Sequence, residues 1–82
     1  MMRARVYVKP KAGVLDPQGK AVGKALHSLG YAEVEDVRVG RYFELGFSGA
    51  SPEAARGRLE EMCRRLLANP LIEEFRFEIL ED

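Results

Sequence analysis

Hydrophobic and polar residues change period several times along this chain, and each change marks an element. Arg3 to Lys9 alternates: Ala4, Val6 and Val8 fall on one side, Arg5, Tyr7 and Lys9 on the other. Period two predicts a strand with one buried face. Pro10, which has no N–H for a ladder, ends it, and Lys11-Ala12-Gly13 continues as a loop. Val22, Ala25, Leu26 and Leu29 then recur at helical spacing. Asp16 is placed to cap that helix, Pro17 to occupy its first position, and Gly30 to leave it in the left-handed conformation with Tyr31 packing back on Leu26.

Val34 to Phe47 returns to period two, with Val37, Val39, Phe43, Leu45 and Phe47 sharing one parity. Gly40-Arg41 interrupts it. A tight hairpin is the favoured reading there, and one long strand bent at a glycine bulge is the alternative. Ser48-Gly49-Ala50 is a loop. A second helix opens with Ser51 as cap and Pro52 and Glu53 in its first turn. Its apolar stripe is Ala55, Leu59, Met62, Cys63 and Leu66, and Asn69-Pro70 stop it. Phe75, Phe77 and Ile79 form the inner face of a last strand, with Glu74, Arg76 and Glu78 outside.

The predicted order is β-α-β-β-α-β over a single domain spanning residues 1–82. With right-handed crossovers this is an α+β, ferredoxin-like two-layer sandwich, two helices on one face of an antiparallel sheet. The strand order 4-1-3-2 would place the basic first strand between two acid-bearing neighbours, pairing charges across the open face. Gly19 and Gly23 do not fit a free helix. Each costs about 1 kcal/mol relative to alanine in a helix interior, so another backbone or a partner is expected to come close.

Composition narrows the function classes. Lys+Arg and Asp+Glu are both 13, which is poor equipment for nucleic acid or an anionic membrane. Cys63 is the single cysteine, so no disulfide forms within the chain and a reducing, cytoplasmic setting is expected. No apolar run reaches the ~18 residues of a membrane span. In 82 residues the buried fraction is small, and association with protein partners is the simplest way to increase it.

Candidate chemistry is sparse. His27 is the single histidine and reads as a solvated residue near a helix end; Cys63 lies on an apolar helix face, where cysteine is a small hydrophobe. One histidine and one distant cysteine cannot build a metal site. The pairs Glu35-Asp36, Glu60-Glu61, Glu73-Glu74 and Glu81-Asp82 are adjacent, so their side chains diverge instead of forming an acid–base dyad. Gly13 to Gly19 lacks the spacing of a phosphate loop, and Asp16 as cap occupies the helix donors an anion would use. The aromatic strand Gly40 to Phe47 has the wrong parity for an RNA-recognition module, since Phe43 and Phe47 share the core side.

Val14-Leu15-Asp16-Pro17-Gln18-Gly19-Lys20-Ala21-Val22, then Leu26-His27-Ser28-Leu29-Gly30-Tyr31, Val37 to Glu44, and Leu66 to Glu73 occur in an order that resembles the PurS family. These are small subunits of phosphoribosylformylglycinamidine synthase. The resemblance covers nearly the whole chain, with Arg41 standing where the family often has lysine. It implies a non-catalytic subunit in purine (IMP) biosynthesis that pairs with itself as a dimer or tetramer. It also implies a bridge between a glutaminase subunit and a large synthetase subunit, assisting ammonia transfer. On that reading this chain binds no cofactor, and ATP and Mg belong to the large subunit. The expected docking surface is Gln18, Gly19, Lys20, Gly23, Lys24 and Arg41: glycines that permit close approach beside exposed cations. The alternative is a regulatory module of the same plan that senses a small metabolite near Gly13. A sensor should shift in thermal stability with one ligand alone, whereas an assembly subunit should not.

Overall fold

A computed structural model describes residues 2–48 and 51–81, with the side chain of Glu81 excepted; Gly49 and Ala50 of the expected loop, Met1 and Asp82 lie outside the described residues. Strand β1 (Met2–Pro10) is followed by helix α1 (Pro17–Ser28), strand β2 (Arg41–Phe47), helix α2 (Pro52–Met62), a π-helical turn (Cys63–Leu67) and strand β3 (Glu73–Glu81). The three strands form an antiparallel sheet in the order β2-β1-β3.

The parity of β1 is as the alternation predicts. Met2, Ala4, Val6 and Val8 are buried, and the residues between them face out or sit half-exposed. Arg5 lies opposite Glu44 on one side and Glu78 on the other, and Lys9 pairs with Glu74 at 3.3 Å. The basic central strand is therefore flanked by acid-bearing edges. Exposed pairs of this kind contribute a few tenths of a kcal/mol each. On the same face the Arg76 guanidinium lies 4.0 Å from the centre of the Tyr7 ring, and Tyr7 stacks against Tyr42 at 5.2 Å.

The fourth strand is absent. Residues 34–40 are extended but pair with no strand, so Gly40-Arg41 is neither a hairpin nor a bulge in one long strand. The physical reason is competition for backbone groups. The N–H of Val39 donates to the Asp16 carboxylate at 2.9 Å, and the carbonyl of Val34 accepts from His27 at 2.7 Å. Helix α1, and not the sheet, satisfies the return segment. The architecture is β-α-β-α-β, and the ferredoxin-like expectation is corrected to that extent.

Helix α2 covers the sheet alone. Ser51 caps it by accepting from the N–H of Ala54 at 3.2 Å, and Ala55, Leu59 and Cys63 seal the core with Ala4, Val6 and Val8. Arg64 and Arg56 reach over Phe75 and Phe77, at 5.7 and 6.0 Å from the ring centres. Beyond Cys63 the helix widens: the N–H of Ala68 donates to the carbonyl of Cys63, five residues back, at 2.9 Å. That widening rotates the last turn. Leu67 and Ala68 point inward, and Leu66, which the α-periodicity places in the stripe, is 82% exposed.

Helix α1 does not cover the sheet either. None of its residues belongs to the core. It projects from the sheet with the return segment along its side, giving an elongated chain whose radius of gyration is 16.1 Å. A compact domain of this length has about 12 Å.

Candidate assembly surface

Helix α1 is fixed at both ends by its own sequence. Asp16 accepts from the N–H of Gly19 at 3.0 Å through one oxygen while the other holds Val39. Those two backbone donors, Val39 first, hold its carboxyl below the usual carboxylate range. At the far end the Gly30 N–H donates to His27 and the Tyr31 N–H to Leu26, both at 3.0 Å, with Gly30 at φ +100°. This is the Schellman ending that Leu29-Gly30-Tyr31 predicts. His27 Nε2 faces a carbonyl oxygen, which can only accept, so that nitrogen carries the ring proton.

The arm joins the sheet at a crossing centred on Gly40. A Cβ there would collide with the carbonyl of Val8, so the chain passes at backbone contact. On one side of it Val39 is held by Asp16, and Arg38 donates to the carbonyls of Val14 and Lys11, each at 3.2 Å. On the other side Arg41 forms a two-pronged pair with Glu73 at 2.8 and 2.9 Å and donates to the carbonyl of Leu67 at 2.9 Å. Glu73 also accepts from the N–H of Asn69 at 2.7 Å. Arg41, then the Asn69 amide, keep the Glu73 carboxyl below its ordinary range. The hollow beside this crossing, lined by Val14, Asp16, Gly40 and Arg41, measures about 190 Å³. Small-molecule sites usually span about 300–1,000 Å³, and the charged groups here are already engaged with the protein itself.

Two apolar surfaces lie open. One is the outer stripe of α1, where Val22 is 42% and Leu29 73% exposed, with Tyr31 beyond them. The other is a groove of about 390 Å³ between β2 and the end of α2, lined by Leu45, Met62, Leu66 and Leu67 with Arg58, Glu61 and Arg65 at its rim.

The six expected docking residues divide in two. Gln18, Lys20 and Lys24 are exposed on the arm. Gly19 is buried, because a Cβ there would collide with the carbonyl of Val37 and with Asp16, and Gly23 would meet Val37 Cγ2 at 3.6 Å. The close approach these glycines permit is made by the chain's own return segment. Arg41 is the cation of the Glu73 pair. The sequence reading missed Arg38 and Glu73. Neither carries a local signal, since both partners of each contact are remote in sequence.

For catalysis the described residues offer little. Cys63 is buried, and that burial raises its thiol pKa, which disfavours the nucleophilic thiolate. Glu60 and Glu61 pair with Arg64 and Arg65 four residues on, at 3.3 and 3.4 Å. No group of three or more metal-ligating side chains is found among the described residues. No helix is long and apolar enough to cross a membrane.

Comparison with known proteins agrees with this picture. Residues 3–81 match the PurS family, described as phosphoribosylformylglycinamidine (FGAM) synthase. The Bacillus subtilis FGAM synthase subunit PurS is 49% identical over 81 residues, covering 99% of this chain and 95% of that protein. The crystal structure of B. subtilis PurS superposes with a TM-score of 0.87 at 47% identity, over 99% of this chain and 100% of the other. A structure of PurLQS from Thermotoga maritima contains a chain that superposes with a TM-score of 0.84 at 25% identity, over 98% and 99% of the two chains. A β-α-β-α-β chain with no evident catalytic constellation among its described residues, matched along nearly its full length, belongs to the PurS family of phosphoribosylformylglycinamidine synthase subunits.

Proposed function

We propose that this chain is the assembly subunit of a phosphoribosylformylglycinamidine synthase in purine biosynthesis, bridging a glutaminase subunit and a large synthetase subunit. The complex would convert formylglycinamide ribonucleotide, glutamine and ATP into the amidine. The observation that carries this reading is the match to a chain of the T. maritima PurLQS complex over nearly the whole length of both chains. The elongated arm-and-sheet shape supports it, because it offers separate surfaces to separate partners. On this reading glutamine hydrolysis and ATP-dependent amidation, with its ATP and Mg, belong to the other subunits, and the chain works in the cytoplasm. Its contribution is to hold them so that ammonia passes between sites without being lost to water or protonated.

Self-association belongs to the same reading. The accessible surface is 6109 Å², where a compact monomer of this mass exposes about 4,900 Å². The excess is comparable to the roughly 800 Å² per partner of a stable interface. The exposed Gln18, Lys20 and Lys24 form the docking edge toward the other subunits.

The test is reconstitution. Purified glutaminase and synthetase subunits should gain glutamine-dependent synthesis when this chain is added, while ammonia-dependent synthesis changes little. Equal glutamine-dependent rates with and without the chain would overturn the proposal. The double change Lys20→Glu with Lys24→Glu should weaken co-elution with the partners on gel filtration, and undiminished co-elution would remove those lysines from the interface.

A further inference from the structure

We infer that the Gly40 crossing is a latch. It holds α1 away from the chain's own sheet, so that the α1 stripe occupies the Leu45–Met62–Leu66 groove of a second copy. The inference rests on the self-association proposed above and specifies how it occurs.

Three observations carry it. First, the chain contains an unfilled place and the element that fits it. A two-layer sandwich needs two helices on a sheet, and here α2 alone covers three strands, leaving the apolar groove beside β2. Second, the sizes match. The 12 residues of α1 span roughly 18 Å, and the seven residues of β2 span roughly 23 Å. Third, α1 cannot reach its own groove while the crossing is intact. The chain passes the junction outward at 11–16 and returns at 38–40. Arg38 ties the two passes together, Asp16 ties Val39 to the start of α1, and Gly40 lies on Val8. Arg41 then pins the beginning of β2 to Glu73 at the beginning of β3. Folding α1 back would reverse both passes and break these contacts together, leaving polar groups to be satisfied anew. A second copy can supply its own α1 with every one of them kept.

Light scattering after gel filtration, with small-angle X-ray scattering, tests this on the full chain. The wild type should be a dimer or larger. Leu29→Lys on the stripe and Leu66→Lys in the groove should each raise the dissociation constant roughly tenfold or more. Mixing the two variants should restore part of the association, because a mixed pair retains one intact helix-in-groove contact. Arg38→Ala with Arg41→Ala, or Gly-Ser-Gly inserted between Val39 and Gly40, should shift the population to a monomer whose radius of gyration approaches about 12 Å. If both latch variants stay folded by circular dichroism and associate as the wild type does, the latch is wrong while self-association stands. Unchanged association of L29K and L66K, or their failure to complement, overturns the occupant. A wild type that is monomeric at every concentration removes self-association and the latch with it.

Discussion

Asp16 and Val39 lie 23 positions apart, yet one carboxylate oxygen of Asp16 accepts the Val39 N–H at 2.9 Å while the other caps α1 through Gly19 at 3.0 Å. One side chain therefore starts a helix and fixes the segment that returns beside it. Asp16→Ala should speed amide exchange at both Gly19 and Val39 by roughly tenfold, as expected when a local hydrogen bond is lost. A purely capping role would move Gly19 and leave Val39 unchanged.

Gly19 and Gly57 should respond oppositely to alanine. In a free helix interior the substitution stabilises by about 1 kcal/mol. A Cβ on Gly57 meets nothing within 4 Å, so Gly57→Ala should raise the midpoint of urea unfolding. A Cβ on Gly19 meets the Val37 carbonyl and Asp16, so Gly19→Ala should lower it. Stabilisation at both sites would mean that the return segment does not press on the helix.

Stability should fall in acid. Asp16 and Glu73 both have folded-state pKa values below their ordinary ones, for the reasons given by their donors. Their contribution is complete above the unfolded values, near 3.8 and 4.5, and is lost as pH drops through the lower folded values. Unfolding free energy measured from pH 7 down to 3 should therefore decline. Asp16→Asn with Glu73→Gln should start lower at neutral pH and decline less. An equal slope in the double variant would assign the acid sensitivity elsewhere.

Leu59 and Leu66 stand seven residues apart and look equivalent by helical spacing, but the π turn separates them. Leu59 is fully buried. Leu59→Ala should cost about 2–5 kcal/mol, at any protein concentration. Leu66→Ala should cost little in dilute solution, and its effect should grow with concentration if the groove is an interface. Equal, concentration-independent losses would argue against the widened turn.

The elements with local causes were legible in the sequence. The alternation of β1, the Asp16-Pro17 start and Gly30-Tyr31 end of α1, and the Ser51-Pro52 start of α2 each lie within a few residues of the groups they organise. So were the flanking of basic β1 by acidic edges and the burial of Cys63. The glycines of α1 signalled a close approach correctly, but not whose backbone approaches. Tertiary structure decided that it is the chain's own Val37, and that Val34 to Gly40 serves α1 and not the sheet. Periodicity cannot distinguish these outcomes, because an extended segment with one apolar side suits either a strand or a strap along a helix. The choice was made by contacts between residues remote in sequence: Asp16 with Val39, Arg38 with Lys11 and Val14, and Arg41 with Glu73. The sequence supplied two amphipathic helices for one sheet. The crossing at Gly40 left only one of them on it.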